Sequence, residues 1–450
     1  MVKKVSVALQ KVKDHYGQLI PAGTILQICT AIGHPFRQRM LGPAETFYLL
    51  LIQILHGNTA CSNLRHLAGM TCSVSAYCKA RARLPVEVLR HVLRWVCQSL
   101  RDVTETACQW HGHRIFHVDG SSFSMPDTEA LQEEFGQPGG QAKGCGFPTA
   151  HLLAMFDAAT GMIVDVLASP LRTHEMSKIA WMHPKLRPGD VLVADCAFCS
   201  YAHLALLFLR NLHGVFRMHQ RTIVDFRPGR PHAKHGDKKA PKGLPRSQWL
   251  RCIGVQDQIV KWFKPQRRPT WMTVEQFAHL PQSLTVRELC YRIETPGYRT
   301  RKVTLVTTLL DAERYSAEDL AELYRCRWQI EVNLRHVKKT MGMDVLHCQT
   351  PDGVRKEMLM FALVYNLVCC IILDAADRQG APPDRISFVD ALRWFQTSKP
   401  GCALIDLIIN PRRPGRFEPR VVKRRPKQYR LMTEPRETLR NRMRDQCVTL

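Results

Sequence analysis

Four residues in the last third of the chain combine reactive side chains with a spacing that suits one surface. Tyr324, Arg327, Glu331 and Lys338 follow one another at intervals of three, four and seven residues. On an α-helix that turns by about 100° per residue, they project within an arc of about 60°. A carboxylate flanked by arginine and lysine can hold a metal ion beside a phosphate group. The same spacing also suits a solvated face with weak ion pairs, so other parts of the chain must decide between the two.

The stretch 321–341 is predicted to form one continuous helix that presents these four side chains beside its core-facing side. A second stripe is apolar and lies about 80° to one side. Its members are Leu323, Ile330, Leu334, Val337 and Met341. We expect Trp328 to join this stripe in seating the helix against a sheet, and Ser316 to cap the start of the helix.

Two aspartates upstream follow hydrophobic runs that are typical of strands. RIFHVDG (114–120) is predicted to be a strand ending in Asp119, and VLVAD (191–195) a buried strand ending in Asp195. Strand ends gather binding groups at one edge of a sheet. Together with Glu331 they could hold two Mg²⁺ ions, provided that a polyanionic substrate supplies further oxygen ligands. Any one such aspartate is more commonly a turn residue, and the set of three is what favours a metal site.

The charge balance favours a polyanionic partner. The chain has 64 basic and 39 acidic residues, a net charge of +25. Such a charge suits nucleic acid or an acidic membrane surface. The two longest apolar runs, 47–55 and 358–373, are shorter than the roughly 20 residues of a membrane span, so we interpret both as core helices. The N-terminus lacks a signal-peptide pattern, which predicts a cytoplasmic protein that does not enter membranes.

Composition and periodicity divide the chain into five parts. Residues 1–110 are predicted to be helical, and in 111–220 strands alternate with helices, which implies a mixed α/β sheet with covering helices. Residues 221–300 are basic and rich in β strands, 301–400 return to a strand and helices, and 401–450 form a Pro/Arg-rich tail. We expect this tail to be extended or partly disordered.

Two of these parts have features suited to DNA. In the first, a short helix is predicted to present Lys79, Arg81 and Arg83 together, which suits DNA contact as well as a solvated face of a helical bundle. From 221 to 302 there are 18 basic and 6 acidic residues, a balance of +12 (18 − 6), and three tryptophans. Basic residues interleaved with aromatic ones suit backbone contact and base stacking.

The spacing Y-x2-R-x3-E-x6-K, matched by Tyr324, Arg327, Glu331 and Lys338, resembles the signature of the insertion-sequence-four group of DDE transposases. Further segments match in the same order, namely VDGSSFSMPDT around Asp119, FGQPGG, FDAATGMIVD and GDVLVADCAFCSYAHL around Asp195. The resemblance covers most of residues 30–400. It implies an RNase H-like catalytic core, a mixed sheet with flanking helices. A β-rich insertion interrupts this core, and a helical N-terminal DNA-binding domain precedes it.

The resemblance also implies residue roles. Asp119, Asp195 and Glu331 would ligate two Mg²⁺ ions, for which Mn²⁺ can substitute, during strand cleavage and transfer at inverted-repeat ends. Tyr324, Arg327 and Lys338 would contact phosphates beside the cut, in members that pass through a DNA hairpin and flip a base.

A tryptophan of the insertion could stack on that flipped base, and Trp262, in the basic strand VKWFK, is our choice. The implied partners are double-stranded DNA, both transposon ends and target, and a second copy of the chain in a synaptic complex. The implied location is the bacterial cytoplasm, at the nucleoid. Two alternatives remain, which are a nuclease that cleaves without joining and a catalytically inactive DNA-binding regulator.

Overall fold

The structure is a computed structural model that describes residues 20–37, 39–104, 109–171, 173, 176–233, 243–294, 302–398, 402–411 and 431–448. The α-helices are α1 (Ala22–Ala31), α2 (Pro43–Leu55), α3 (Leu64–Leu67), α4 (Val74–Arg83), α5 (Val86–Thr104), α6 (Glu129–Glu134), α7 (Met176–Ile179), α8 (Tyr201–Phe208), α9 (Val274–Ala278), α10 (Ala317–Cys326), α11 (Trp328–Arg335), α12 (Pro351–Gln379), α13 (Phe388–Thr397) and α14 (Arg436–Val448). The strands are β1 (Ile115–Ser124), β2 (Thr149–Asp157), β3 (Ile163–Pro170), β4 (Val191–Ala194), β5 (His213–Arg217), β6 (Gln248–Gly254), β7 (Asp257–Phe263), β8 (Ser283–Arg292) and β9 (Lys302–Thr307).

All nine strands form one mixed sheet in the order β3-β2-β1-β4-β5-β9-β8-β7-β6. β1, β2 and β3 are antiparallel neighbours, while β4 and β5 run parallel to β1. This order is that of an RNase H-like core, and the predicted fold class is confirmed. β6, β7 and β8, which come from the segment predicted as a β-rich insertion, extend the sheet through the antiparallel pair β8–β9.

The strand β4 is apolar on both faces because helices cover both sides of the sheet. Val191 and Val193 join a buried cluster with residues of α10, and Leu192 and Ala194 join another with residues of α8. Continuous apolar sequence is typical of a parallel strand buried in this way. β4 is thus packed between helices on both faces, which fixes the position of the residue that follows Ala194.

The long helix α12 is the core helix predicted for the apolar run 358–373. By length and composition it could cross a membrane, but 83% of its most apolar window is buried inside the protein. It packs against α2, α5 and β3. Asn366, the polar residue in its centre, accepts from the backbone N–H of Ile163 at 2.8 Å and donates to the carbonyl of the same residue at 2.9 Å. This contact fixes β3 to the helix.

The stretch 321–341 is not one helix, and that prediction is wrong. The N–H of Arg327 donates to Tyr324 at 3.2 Å, and that of Ile330 donates to Arg327 at 3.0 Å. These bonds span three residues, so the chain tightens where α10 meets α11. After α11, His336–Thr340 is a π turn, closed by the N–H of Met341 on the carbonyl of His336 at 2.9 Å.

The apolar stripe of this stretch is confirmed, since all five of its predicted members are buried. Trp328, expected to help seat the helix, is 54% exposed, so that expectation is wrong. Even on an ideal helix Trp328 lies about 150° from the centre of the apolar stripe, so its side chain points to solvent. The predicted extended tail falls partly on residues 412–430, outside the described residues, and its last part forms α14.

A buried histidine pair, formed by His183 and by His203 of α8, predicts that the protein is sensitive to acid. The Nε2 atoms of His183 and His203 are 2.9 Å apart, and the rings stack with centroids 5.0 Å apart. Burial lowers the pKa of both side chains, that of His203 to about 4. Unfolded histidine takes up a proton near pH 6.5, so the unfolded state binds more protons between pH 6.5 and about 4. The free energy of unfolding should therefore fall as the pH drops through this window.

Between pH 7 and pH 5 we expect His203 alone to account for a loss of about 2 kcal/mol, measured by chemical denaturation. His203→Gln keeps hydrogen-bonding atoms but removes the titrating ring, and its stability should fall less over the same pH range. An equal fall in both proteins would contradict this prediction.

Candidate active site

Asp119 and Asp195 are neighbours on adjacent parallel strands. Val118 of β1 lies opposite Ala194 of β4, so the two aspartates occupy the next position on each strand. β4 ends at Ala194, one residue before the predicted end at Asp195. β1 continues to Ser124, so the prediction that Asp119 ends its strand is wrong. Asp195 Oδ1 accepts the N–H of Ala197 at 2.8 Å, which fixes the turn after β4.

Glu331 reaches this edge from α11, and Arg327 links it to Asp119. One terminal nitrogen of Arg327 lies 3.0 Å from Glu331 Oε1, and the other lies 3.7 Å from Asp119 Oδ2. The guanidinium is largely buried, with 14% of its side chain exposed. The tight turn between α10 and α11 places Arg327 at the junction of the two helices, facing β1.

The negative charges of Asp195 and Glu331 act on Asp119. Burial raises the pKa of Asp119 to about 6, and the negative charges of Asp195 and Glu331 act in the same direction. The N–H of Gly120 and the guanidinium of Arg327 act against this rise. Oxygen ligands under mutual repulsion are a donor set that fits a divalent cation. As they stand, however, no three His, Cys, Asp or Glu side chains among the described residues lie close enough together to hold a metal ion.

The two remaining motif residues lie close to the same strand. Lys338 Nζ donates to Ser121 Oγ at 2.7 Å, and Ser121 shares a face of β1 with Asp119. Tyr324 is buried, and the guanidinium of Arg327 lies 5.6 Å from the centre of its ring. Burial raises the pKa of Tyr324 to about 12, so its phenol is protonated at neutral pH. The structure thus brings the four motif residues together: Lys338 and Arg327 contact residues of β1, and Glu331 and Tyr324 contact Arg327.

Arg217 is a site residue that the sequence analysis did not identify. Ala194 lies opposite Phe216 of β5, so Arg217 follows Asp119 and Asp195 in one row across three parallel strands. Its side chain is half-buried and makes no hydrogen bond or ion pair with a residue that the structure describes. Its charge opposes the rise in the pKa of Tyr324, so the two side chains are close. The only signal in the sequence is a strand, GVFR, that ends in arginine.

The basic residues of α4 are not presented together. Lys79 and Arg83 are exposed and line an open cavity of about 760 Å³. Arg81 turns inward, where it donates to Gln53 Oε1 at 3.2 Å. Residues two apart on a helix point in nearly opposite directions, which explains the separation. A contact of these residues with DNA stays a prediction.

Trp262 of β7 is held by contacts within the protein. Its indole N–H donates to Glu288 Oε1 at 2.8 Å, and its partly buried ring packs against the cluster that contains Val260. Glu288 also accepts from Gln258 at 2.9 Å. These contacts give the tryptophan a structural role, and its stacking on a flipped base stays a prediction.

Comparison with known proteins places this arrangement in a family. Residues 110–367 match the family described as "Transposase DDE domain". The transposase InsG for insertion sequence element IS4 of Escherichia coli (strain K12) is 24% identical over 375 residues, covering 79% of this chain and 77% of the relative. The transposase for insertion sequence element IS231F of Bacillus thuringiensis subsp. israelensis is 24% identical over 333 residues, covering 69% of this chain and 67% of the relative.

Among solved structures, the cryo-EM structure of the piggyBac transposase synaptic complex with hairpin DNA is similar with a TM-score of 0.40 and 11% identity, covering 87% of this chain and 79% of that chain. This similarity is too weak to assign a function to the chain. The family match, by contrast, runs from before β1 into α12 and includes both aspartates and all four motif residues. Membership implies a divalent metal and DNA as a partner. The chain belongs to the transposase DDE domain family and is a DDE transposase of the insertion-sequence-four group.

Proposed function

We propose that the protein cleaves double-stranded DNA at the inverted-repeat ends of an insertion sequence and joins those ends to target DNA by a cut-and-paste route, which can include a hairpin intermediate. The observation that most supports this is the geometry of three carboxylates. Asp119 and Asp195 are side by side on parallel strands, and Glu331 is tied to Asp119 through Arg327. Such a set serves phosphoryl transfer rather than DNA binding alone.

Asp119, Asp195 and Glu331 are the proposed ligands of two Mg²⁺ ions, with Mn²⁺ able to substitute. Burial is the main cause of the raised pKa of Asp119, and the negative charges of Asp195 and Glu331 add to it. A divalent cation at these carboxylates would counter both effects, which supports this assignment. When bound, the two ions activate the attacking oxygen and stabilise the leaving oxygen of an in-line displacement. The protein contributes the fixed positions of the carboxylates, which the sandwiched strand β4 and the turn after Asp195 supply.

Basic and phenolic groups around the carboxylates are the proposed phosphate contacts. Lys338, held against Ser121, has an ammonium beside the strand that carries Asp119. Arg327 and Arg217 present guanidinium groups that can bind a phosphate with two parallel hydrogen bonds. Tyr324 can donate a hydrogen bond to phosphate, but its raised pKa excludes it as a base near neutral pH.

The other parts of the chain are proposed to hold DNA away from the reacting bond. The helical domain 1–110 would use exposed Lys79 and Arg83, and the basic segments 221–300 and 401–450 would follow the DNA backbone. The core would be split between 111–220 and 301–400. A homodimer would bring two transposon ends together, in the bacterial cytoplasm at the nucleoid.

The decisive experiment is incubation with DNA that carries the element's own ends, with Mg²⁺ and a target plasmid. Joined products support the proposal. Cleavage without joining would instead indicate a nuclease, and binding without cleavage an inactive regulator. Omission of Mg²⁺ is the control, and it should stop both cleavage and joining.

Lys338 and its neighbour Lys339 offer a matched test of phosphate contact. Lys338 is half-buried beside the site, whereas the Lys339 side chain is 68% exposed and pairs with Asp344 at 2.6 Å. Because each phosphate contact releases counterions, Lys338→Met should make the plot of log affinity against log salt shallower by about 0.9. Lys339→Met should leave that slope near the wild-type value. Fluorescence anisotropy at several salt concentrations measures both, and equal changes would contradict the assignment.

A further inference from the structure

Arg327 occupies the space between two of the proposed metal ligands. Its terminal nitrogens lie 3.0 Å from Glu331 Oε1 and 3.7 Å from Asp119 Oδ2, so its positive charge is shared by both carboxylates. In this arrangement no described residues form a three-membered ligand group. The guanidinium thus neutralises the carboxylates in the way that a metal ion would.

The guanidinium is poorly satisfied where it lies. Of its contacts with the two carboxylates, that with Glu331 is short enough for a hydrogen bond, whereas the 3.7 Å to Asp119 is an ion pair without one. The Nε–H is buried and has no acceptor among the described residues. A guanidinium has five donors, and a buried donor without an acceptor is unfavourable. Arg327 therefore has unused N–H donors, from which a phosphate oxygen could accept hydrogen bonds.

We propose that Arg327 is an internal counter-ion of the DNA-free enzyme, which holds Asp119 and Glu331 together and weakens their binding of divalent metal until a DNA phosphate takes the guanidinium away. This rests on the proposed function, since it takes both carboxylates as metal ligands. A carboxylate oxygen that pairs with the guanidinium is less available to a cation, and the positive charge of Arg327 repels that cation. Metal and the Arg327 ion pairs are therefore in competition.

The exchange is favourable because Arg327 makes one hydrogen bond to the two carboxylates and could make two to a phosphate. Arginine and phosphate form two parallel charge-assisted hydrogen bonds. Arg327 also lies at the junction of α10 and α11, where a turn of three-residue spacing interrupts regular helix, so a change here need not disturb either helix. By linkage, DNA then strengthens metal binding and metal strengthens DNA binding by the same factor. Metal would be held tightly only when DNA is in place.

The test is calorimetric titration of the DNA-free full chain with Mn²⁺. Arg327→Gln removes the competing charge and should bind Mn²⁺ at least about tenfold more tightly than wild type. The control is Arg325→Gln on α10, two residues before Arg327, since the Arg325 side chain is 64% exposed and pairs with Glu322. Arg325→Gln should bind Mn²⁺ as wild type does. Equal or weaker binding by Arg327→Gln would overturn the proposal.

Two further variants keep the outcomes distinct. Asp119→Asn added to Arg327→Gln should abolish the tight binding. If that double variant binds Mn²⁺ unchanged, the ion lies elsewhere, which overturns both this inference and the assignment of Asp119. Asp119-dependent binding of equal strength with and without Arg327 overturns the counter-ion alone. Should Arg327→Gln not fold, Arg327→Met decides, because it also removes the guanidinium charge and its hydrogen bond to Glu331. Tighter Mn²⁺ binding than wild type supports the proposal, and equal or weaker binding overturns it.

Discussion

Asp119→Asn is expected to slow DNA cleavage at transposon ends about a thousandfold or more, which corresponds to about 4 kcal/mol of transition-state stabilisation. The amide keeps the shape of the side chain and removes its charge. Asp119 lies next to Asp195, and the negative charge of Glu331 acts on it. A neutral side chain at this position weakens the shared cation site that both strand cleavage and strand transfer would need. DNA affinity measured without divalent metal should stay within a few-fold, because no phosphate contact is lost.

The measurement is single-turnover cleavage of end-labelled DNA, with DNA affinity measured in parallel. Asp127→Asn is the matched control, since Asp127 is exposed and its carboxylate accepts from Gln132 at 2.7 Å, away from the three proposed ligands. That variant should cleave at the wild-type rate. Wild-type cleavage by Asp119→Asn would remove Asp119 from the site, and a comparable loss of DNA binding would mean that its role is structural.

The sequence predicted the site well where local pattern decides. The apolar run VLVA is buried on both faces of a parallel strand, so the end of this strand, predicted at Asp195, is correct to within one residue. For Asp119 the strand was predicted but not its length, because the run GSSFS that follows is polar yet still pairs with β2. Strand pairing, rather than local apolar content, carries β1 past Asp119.

Features that depend on strand order or tertiary packing could not be predicted. Arg217 joins the row of aspartates only because β5 lies beside β4, and no spacing in the sequence encodes that neighbour. Arg81 turns inward to Gln53, 28 residues away. Neither the turn at Arg327 nor the π turn after α11 contains a proline or glycine. Because these residues are the usual sequence signal of an irregular helix, the sequence predicted a regular one. These irregularities lie where the proposed chemistry occurs.

The remaining large effect concerns how the β-rich segment supports the site. Asp257→Ala is expected to lower the free energy of unfolding by about 3–5 kcal/mol, because it leaves the charge of Arg287 buried without a partner. The Arg287 side chain is 1% exposed, and its Nε donates to Asp257 Oδ1 at 2.8 Å while a terminal nitrogen contacts the other carboxylate oxygen. Chemical denaturation measures the loss.

The surface pair Arg227–Asp225 is the control, since the Arg227 side chain is 81% exposed and the pair is 2.7 Å apart. Asp225→Ala should cost less than about 1 kcal/mol, because solvent screens such pairs. Similar losses in the two variants would mean that burial of the Arg287 pair does not decide its strength. An apolar pair, Arg287→Met with Asp257→Leu, should recover most of the stability lost by Asp257→Ala.

Arg287 also links the stability of the β-rich segment to the proposed active site. Its other terminal nitrogen donates to the carbonyl of Tyr315 at 2.6 Å, immediately before Ser316, which caps α10. β8 is thereby fixed to the start of the helix that leads to Tyr324 and Arg327. The apolar pair lacks this bond, so it should restore stability without restoring the full cleavage rate. Full recovery of both would show that Arg287 serves only the fold, whereas recovery of stability alone would mean that the β-rich segment also positions the helix at whose end Arg327 lies.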